Sequence, residues 1–230
     1  MSATSAPIAT SAPIATSAPI ATSAPIAAPV AALGTADAHV VAETLREARA
    51  RYFRENGFGD DGGYGDAWVD FKLGPIPMPF PNTPGRVRAV RYHDLHHVLT
   101  GYATDTRGEL EISAWEVGAG CGRFVTAWAI NLSGMAAGLV SAPRRSFRAF
   151  VRGRHSRSLY GEPFEPLLDE TVDEARVRVA TAPRARGSDV AAFVLANVVG
   201  VAVGLAFTAL VLPLVPIGIL AGRRRRAVAA

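Results

Sequence analysis

From Val190 to Gly222 the sequence carries no charged residue, and Val, Leu, Ala and Gly dominate the run. About 20 apolar residues suffice to cross the hydrocarbon core of a bilayer, so this run is long enough to do so. A buried core helix seldom continues so far without one charged position, and the sequence therefore points to a C-terminal membrane segment. Arg223 to Arg226 close it. Such a run is expected to stay cytoplasmic by the positive-inside tendency. The N-terminal stretch has neither a basic n-region nor a continuous apolar h-region, so the remainder is also expected to be cytoplasmic, at a bacterial inner membrane. Both ends share one side if Pro213, Pro216 and the glycines let the segment turn back or insert halfway. A plain single span puts them on opposite sides, and the sequence leaves the two arrangements open.

The rest of the composition agrees with a membrane partner. The formal net charge is +4, the isoelectric point is near 9.7, and Lys72 is the only lysine among 24 basic residues. The arginines are spread along the chain and culminate beside the apolar run, which favours an anionic membrane over nucleic acid. Cys121 stands alone, which excludes a disulfide framework and a thiolate metal site.

Ahead of the membrane segment the chain divides by composition. The unit TSAPIA occurs in tandem from Thr4 to Ala27. A proline in every copy prevents a helix from continuing across copies, and the unit offers little surface to bury against the entropy of ordering. Residues 1–33 are expected to be a disordered, partly polyproline-II leader, with a docking or spacer role as the functional alternative. Residues 34–180 read as one all-α, bundle-like domain, 181–189 as a linker, 190–222 as the membrane segment and 223–230 as a basic tail. The first helix is expected to be capped by Thr35 or Asp37 and to end at Asn56, where Gly57 stops it. Five prolines between Leu73 and Gly85 force an extended path. Helices follow at about 86–101, 108–117, 123–139, 144–154 and 166–177, and no segment alternates with period two.

The chemistry concentrates in His93-Asp94-Leu95-His96-His97, followed by Glu109. At ~100° per residue His93 and His97 lie about 40° and one turn apart, and Asp94 falls about 60° from His97. A turn before Glu109 can return it opposite the histidines as a fourth ligand. Two imidazoles and two carboxylates suit a divalent ion, Zn²⁺ first, with Fe²⁺ or Mn²⁺ as alternatives. A bare HxxxH is weakly informative, and this is not HExxH, whose Glu serves as general base. His96 points ~100° away from His97 and reads as a surface or supporting residue. Glu111 reads as solvated, and Glu116, two turns beyond Glu109, is the rival ligand.

The stretch Arg91 to Glu116, RYHDLHHVLTGYATDTRGELEISAWE, resembles the core signature of the coenzyme Q biosynthesis protein 4 family, HDxxH, eleven residues, then Glu. His93, Asp94, His97 and Glu109 match it. Val98-Leu99-Thr100-Gly101, Thr106, Gly108 and Trp115 fit the surrounding pattern, as do Arg152-Gly153-Arg154 and Tyr160-Gly161-Glu162-Pro163 through Arg176 further on. The resemblance covers roughly residues 40–180. It implies an all-helical, often dimeric, membrane-associated protein that holds a metal and a polyprenylated aromatic ring. It also implies oxidative decarboxylation of a quinone precursor, and partnership with other quinone-biosynthesis enzymes. The leader repeat and the apolar tail depart from the family pattern and leave open whether the lipid is a ubiquinone precursor or another prenyl lipid.

Two functions fit these residues. In the first, the chain is a metal-dependent lyase in which the ion held by His93, Asp94, His97 and Glu109 polarises a carboxylate or phenolate. The apolar helix at 123–139 then lines a prenyl groove beside Gly118, Gly120, Gly122 and Gly134. Arg144, Arg145 or Arg148 meets an anionic head group, or else forms a solvated or lipid-facing surface. In the second, the chain is a non-catalytic lipid-binding scaffold with a structural metal. A metal hydrolase is a weaker third reading, because no general base is evident beyond the ligands.

Overall fold

The computed structural model describes residues 42–69, 72–73, 76–180 and 183–220. The repeat leader, the expected caps Thr35 and Asp37, and the Arg223–Arg226 run lie outside the described residues. The described chain is mostly helical, as the sequence indicates.

Helix α1 (Leu45–Asn56) starts at Thr44, whose hydroxyl accepts from the Glu47 N–H while the Glu47 carboxylate accepts from the Thr44 N–H. This reciprocal cap satisfies two otherwise orphaned donors. Gly57, at φ 68°, ends it in the left-handed conformation that a side chain disfavours. The proline-rich passage then forms two short antiparallel ribbons rather than a featureless extended path. One pairs β1 (Trp68–Val69) with β4 (Phe80–Pro81), and the other pairs β2 (Lys72–Leu73) with β3 (Ile76–Pro77). Strands of two residues are too short to leave an alternating pattern in the sequence.

Four longer helices build the core: α2 (Pro84–Thr100), α3 (Thr106–Ala119), α4 (Val125–Ser141) and α5 (Pro143–Arg154). Helix α3 lies between α4 and α5. The α3–α5 approach is close because Gly118 faces the Phe150 carbonyl and Gly153 faces the Trp115 carbonyl, where any Cβ would collide with backbone. Trp115, Leu95, Ile112 and Met135 are fully buried at the centre. The helix expected at 166–177 is two pieces, α6 (Phe164–Leu167) and α7 (Val172–Arg176). Thr171 opens a second reciprocal cap with Glu174, so the chain restarts there instead of continuing.

Helix α8 (Gly187–Val211) continues through a 3₁₀ turn at Leu212–Leu214 and resumes to Leu220, 34 residues in all. It is long and apolar enough to cross a membrane. It begins within the expected linker and lies mainly against α4.

Candidate metal centre

The site is built by α2, a tight turn and α3. Thr83 caps α2, and Pro84 at the first helical position gives up an N–H that would have had no partner. The helix ends at Gly101, φ 74°, and Asp105 starts the next one by accepting from the Gly108 N–H at 2.7 Å. Gly108 sits directly on the Ala103 backbone, leaving no room for a side chain. The short turn therefore folds α3 back on α2 and places Glu109 in its first turn. The Thr104 hydroxyl donates to the Asn56 side-chain carbonyl at 2.6 Å and ties the turn to α1.

His93, His97 and Glu109 each present a ligand atom, and these atoms lie within 4.8 Å of one another. The two Nε2 atoms are 3.1 Å apart, and the Glu109 carboxylate lies 3.5 Å from His93 Nε2 and 3.4 Å from His97 Nε2. The orientation of each ring is set from behind. His97 Nδ1–H donates to the Tyr102 carbonyl at 2.9 Å, and since a carbonyl only accepts, the proton is on Nδ1. His93 Nδ1–H donates to Glu116 Oε1 at 3.0 Å. With both Nδ1 atoms donating, the two Nε2 atoms face one point. Two ring nitrogens and a carboxylate so placed could share a cation. Here a proton can take that part. Burial alone would keep His93 neutral, yet Glu116 and Glu109 outweigh it and raise its pKa well above 6.5. Burial likewise opposes ionisation of Glu109, but His93 and His97 prevail and draw it down to about 2.

Asp94 is not gathered with these three. It is buried one step along the helix, where its Oδ2 accepts from the Tyr64 hydroxyl at 2.5 Å. Burial raises its pKa, against the pull of His93 and the Tyr64 hydrogen bond. The sequence brings out Asp94 because it is adjacent to His93. Its partner comes from a Gly/Asp loop thirty residues earlier, which no spacing announces. The set gathered around one point is thus two imidazoles and one carboxylate rather than four ligands. Glu109 forms the open side, with its side chain 43 % exposed.

Glu116, the rival ligand, stands behind the site. It is fully buried and accepts from His93 Nδ1, His96 Nδ1 at 2.6 Å, the Tyr160 hydroxyl at 2.8 Å and the Asn131 amide. Burial disfavours its ionised form, but His93 and His96 together hold its pKa far below the ordinary carboxylate value. His96 is wholly buried, and its Nε2 accepts from the Leu159 N–H at 2.9 Å. That bond fixes it as a neutral Nδ1–H tautomer, and burial lowers its pKa accordingly. It is a supporting residue and not a surface one.

Other expectations are corrected. Glu111 is not solvated: its carboxylate is buried and takes two hydrogen bonds from Arg145, at 2.9 and 2.7 Å. Arg145 is thereby committed, while Arg144 and Arg148 remain exposed. Gly118 and Gly134 do not open a groove, because they meet Phe150 and Ser113 at helix contacts. Gly120 and Gly122 instead serve the chain reversal after α3, both with positive φ.

Among known proteins, residues 3–31 match a family model described as a Schizosaccharomyces pombe repeat of unknown function (DUF963). That match lies on the TSAPIA leader and does not reach the site. No curated protein and no solved structure matches the chain.

Proposed function

We propose that the chain is a membrane-associated, metal-binding protein acting on a polyprenylated aromatic ring, with oxidative decarboxylation of a quinone precursor as its reaction. The observation that carries the metal part is the pair of imidazoles whose Nδ1 protons are both donated elsewhere, so that both Nε2 atoms face Glu109. The HDxxH-x11-E spacing and its resemblance to the coenzyme Q biosynthesis protein 4 family support the choice of pathway and substrate. The apolar helix at the C-terminus supports the lipid environment.

In this reading His93, His97 and Glu109 hold a divalent ion, Zn²⁺ or, alternatively, Fe²⁺ or Mn²⁺. Bound there, the ion supplies Lewis acidity toward a ring carboxylate or phenolate. Three protein ligands leave positions open, which suits a catalytic site better than a closed structural one. Glu116 and the Tyr102 carbonyl keep the two rings aimed. Asp94 and the Tyr64 hydroxyl stand beside the site as a proton-bearing pair. Zinc has no redox chemistry, so the oxidative step would need dioxygen or another electron acceptor, which iron in the site could relay electrons to but not replace.

The test is purification from membranes with metal analysis and mass spectrometry of any bound lipid, on the native protein and on His97→Ala. The expected result is about one metal per chain, a bound quinone precursor, and joint loss of metal and product in the variant. Full turnover by His97→Ala refutes the enzymatic role. A mature quinone or phospholipid without turnover supports the scaffold instead.

A further inference from the structure

We infer that α8 lies along the membrane surface, with its outer face seated in one leaflet, and does not cross the bilayer. The inference rests on the membrane association proposed above and is independent of the metal.

Asp189, Phe193, Asn197, Gly200, Val211, Val215 and Gly218 are buried and Val203 and Phe207 half-buried, each three or four residues from the next, so one stripe faces the domain from end to end. Each part of that stripe has a partner. Asp189 accepts from Arg154 Nε at 2.7 Å. The Phe193 ring meets Phe147 and Phe150, each at 5.3 Å between centroids. A Cβ at Gly200 would stand 2.6 Å from the Leu132 carbonyl oxygen of α4. Phe207 meets Phe80 at 6.2 Å, and a Cβ at Gly218 would stand 2.8 Å from Pro79 and 2.9 Å from Trp68. The helix is therefore held by the domain at its beginning, middle and end.

A crossing helix cannot be held this way from one side. The contacts from residue 189 to 218 extend over about 44 Å at 1.5 Å per residue. That is more than the ~30 Å hydrocarbon core. If α8 stood upright, α4 would stand with it, and so would α3, which packs on α4 and carries Glu109, Glu111 and Glu116. The exposed Arg144 and Arg148 on α5 would be carried with them. Ionised groups at such depth are strongly disfavoured.

The outward side names the occupant. Val190, Val194, Leu195, Val198, Leu205 and Leu210 are all between 50 % and 70 % exposed, a continuous apolar face far beyond scattered surface residues. Val140, at the C-terminal end of α4, is 88 % exposed, and Arg144 and Arg148 follow it on the surface. An exposed apolar face on a basic chain matches acyl chains below an anionic head-group layer. Because the domain takes the place of a polar helix face, α8 needs no charge beyond Asp189 in its first turn.

The experiment uses the full chain in sealed anionic vesicles of phosphatidylglycerol and phosphatidylcholine. Arg186→Cys and Arg223→Cys flank the apolar run with polar positions, and Cys121 is buried and contributes little background. A membrane-impermeant maleimide should modify both positions from the same side. Modification from opposite sides overturns the inference while leaving membrane association intact. The double variant Val194→Asp, Leu205→Asp, with helical content verified by circular dichroism, should float with vesicles at least about tenfold less than the native protein. Undiminished flotation of the folded variant overturns the assignment of this face. A native protein that stays off vesicles and forms a dimer protecting both positions overturns membrane association as well, and identifies a second copy as the occupant.

Discussion

Glu116 tests how far the site depends on a residue that touches no ligand position. Its carboxylate holds the His93 Nδ1 proton and is itself held by His96, Tyr160 and Asn131. Glu116→Gln keeps the shape but removes the charge and sets an amide donor against either the two Nδ1 donors or the Tyr160 hydroxyl and Asn131 amide, so ring aim and ring basicity both suffer. Metal affinity should fall by about 10–100-fold, as for other residues that orient a liganding histidine. Competition with a chromophoric chelator measures this, and unchanged affinity removes Glu116 from the site. The protons give a second prediction. The folded pKa of His93 is raised above 6.5, so its contribution is complete below that value and is lost as pH rises through the folded pKa. Glu109 is depressed to about 2 from 4.5, so its contribution is present above 4.5 and is lost as pH falls toward 2. The metal-free protein should thus be most stable in mildly acidic to neutral solution and should melt at lower temperature in alkali. Metal competes with the His93 proton, so added Zn²⁺ should raise the melting temperature more at pH 8 than at pH 6. Thermal melts with and without chelator check both signs.

At the scale of elements, the sequence shows what is local and hides what depends on distant partners. The histidine spacing and the break between helices at about 101 and 108 are local, so the helix–turn–helix carrying His93, His97 and Glu109 is readable directly. The proton positions are not, because they are set by Tyr102, Glu116 and Leu159, the last of which pairs with His96 across 63 residues. Asp94 matches the motif but is turned to Tyr64 for the same reason. The inward stripe of α8 is equally hidden: both of its faces are apolar, so hydropathy has no contrast from which to read a period. Glycines that read as groove-forming are instead points of helix contact, and this can be tested. Gly153 lies on the Trp115 carbonyl with no space for a methyl group. Gly153→Ala should therefore push α5 off α3 and destabilise the fold by about 1–3 kcal/mol, measured by denaturant unfolding. The change should also loosen Trp115, which packs 5.0 Å from the His96 ring, and so weaken metal binding in parallel.

For the whole molecule, the relation of α8 to the rest decides whether the tail is an accessory. Were it an anchor joined by a free linker, removing it would release a domain with its core intact. The packing argues otherwise. Phe193 belongs to the same buried cluster as Phe150, Met135 and Trp115, and Leu132 and Ala136 of α4 lie beneath Gly200. Arg154 meets its carboxylate at Asp189, which is 2 % exposed. A chain ending at residue 186 would uncover the apolar side of α4 and leave Arg154 without Asp189. It should melt at a lower temperature than the full chain in the same detergent and should aggregate once detergent is withdrawn. Asp189→Ala separates the two contributions, since it removes the ion pair and the capping acceptor for the Arg186 N–H but leaves the apolar contacts. Its melting temperature should fall only part of the way toward that of the truncated chain. A truncated chain that is monodisperse without detergent and as stable as the native protein would show that α8 is merely attached, and the surface-lying arrangement would lose its structural basis.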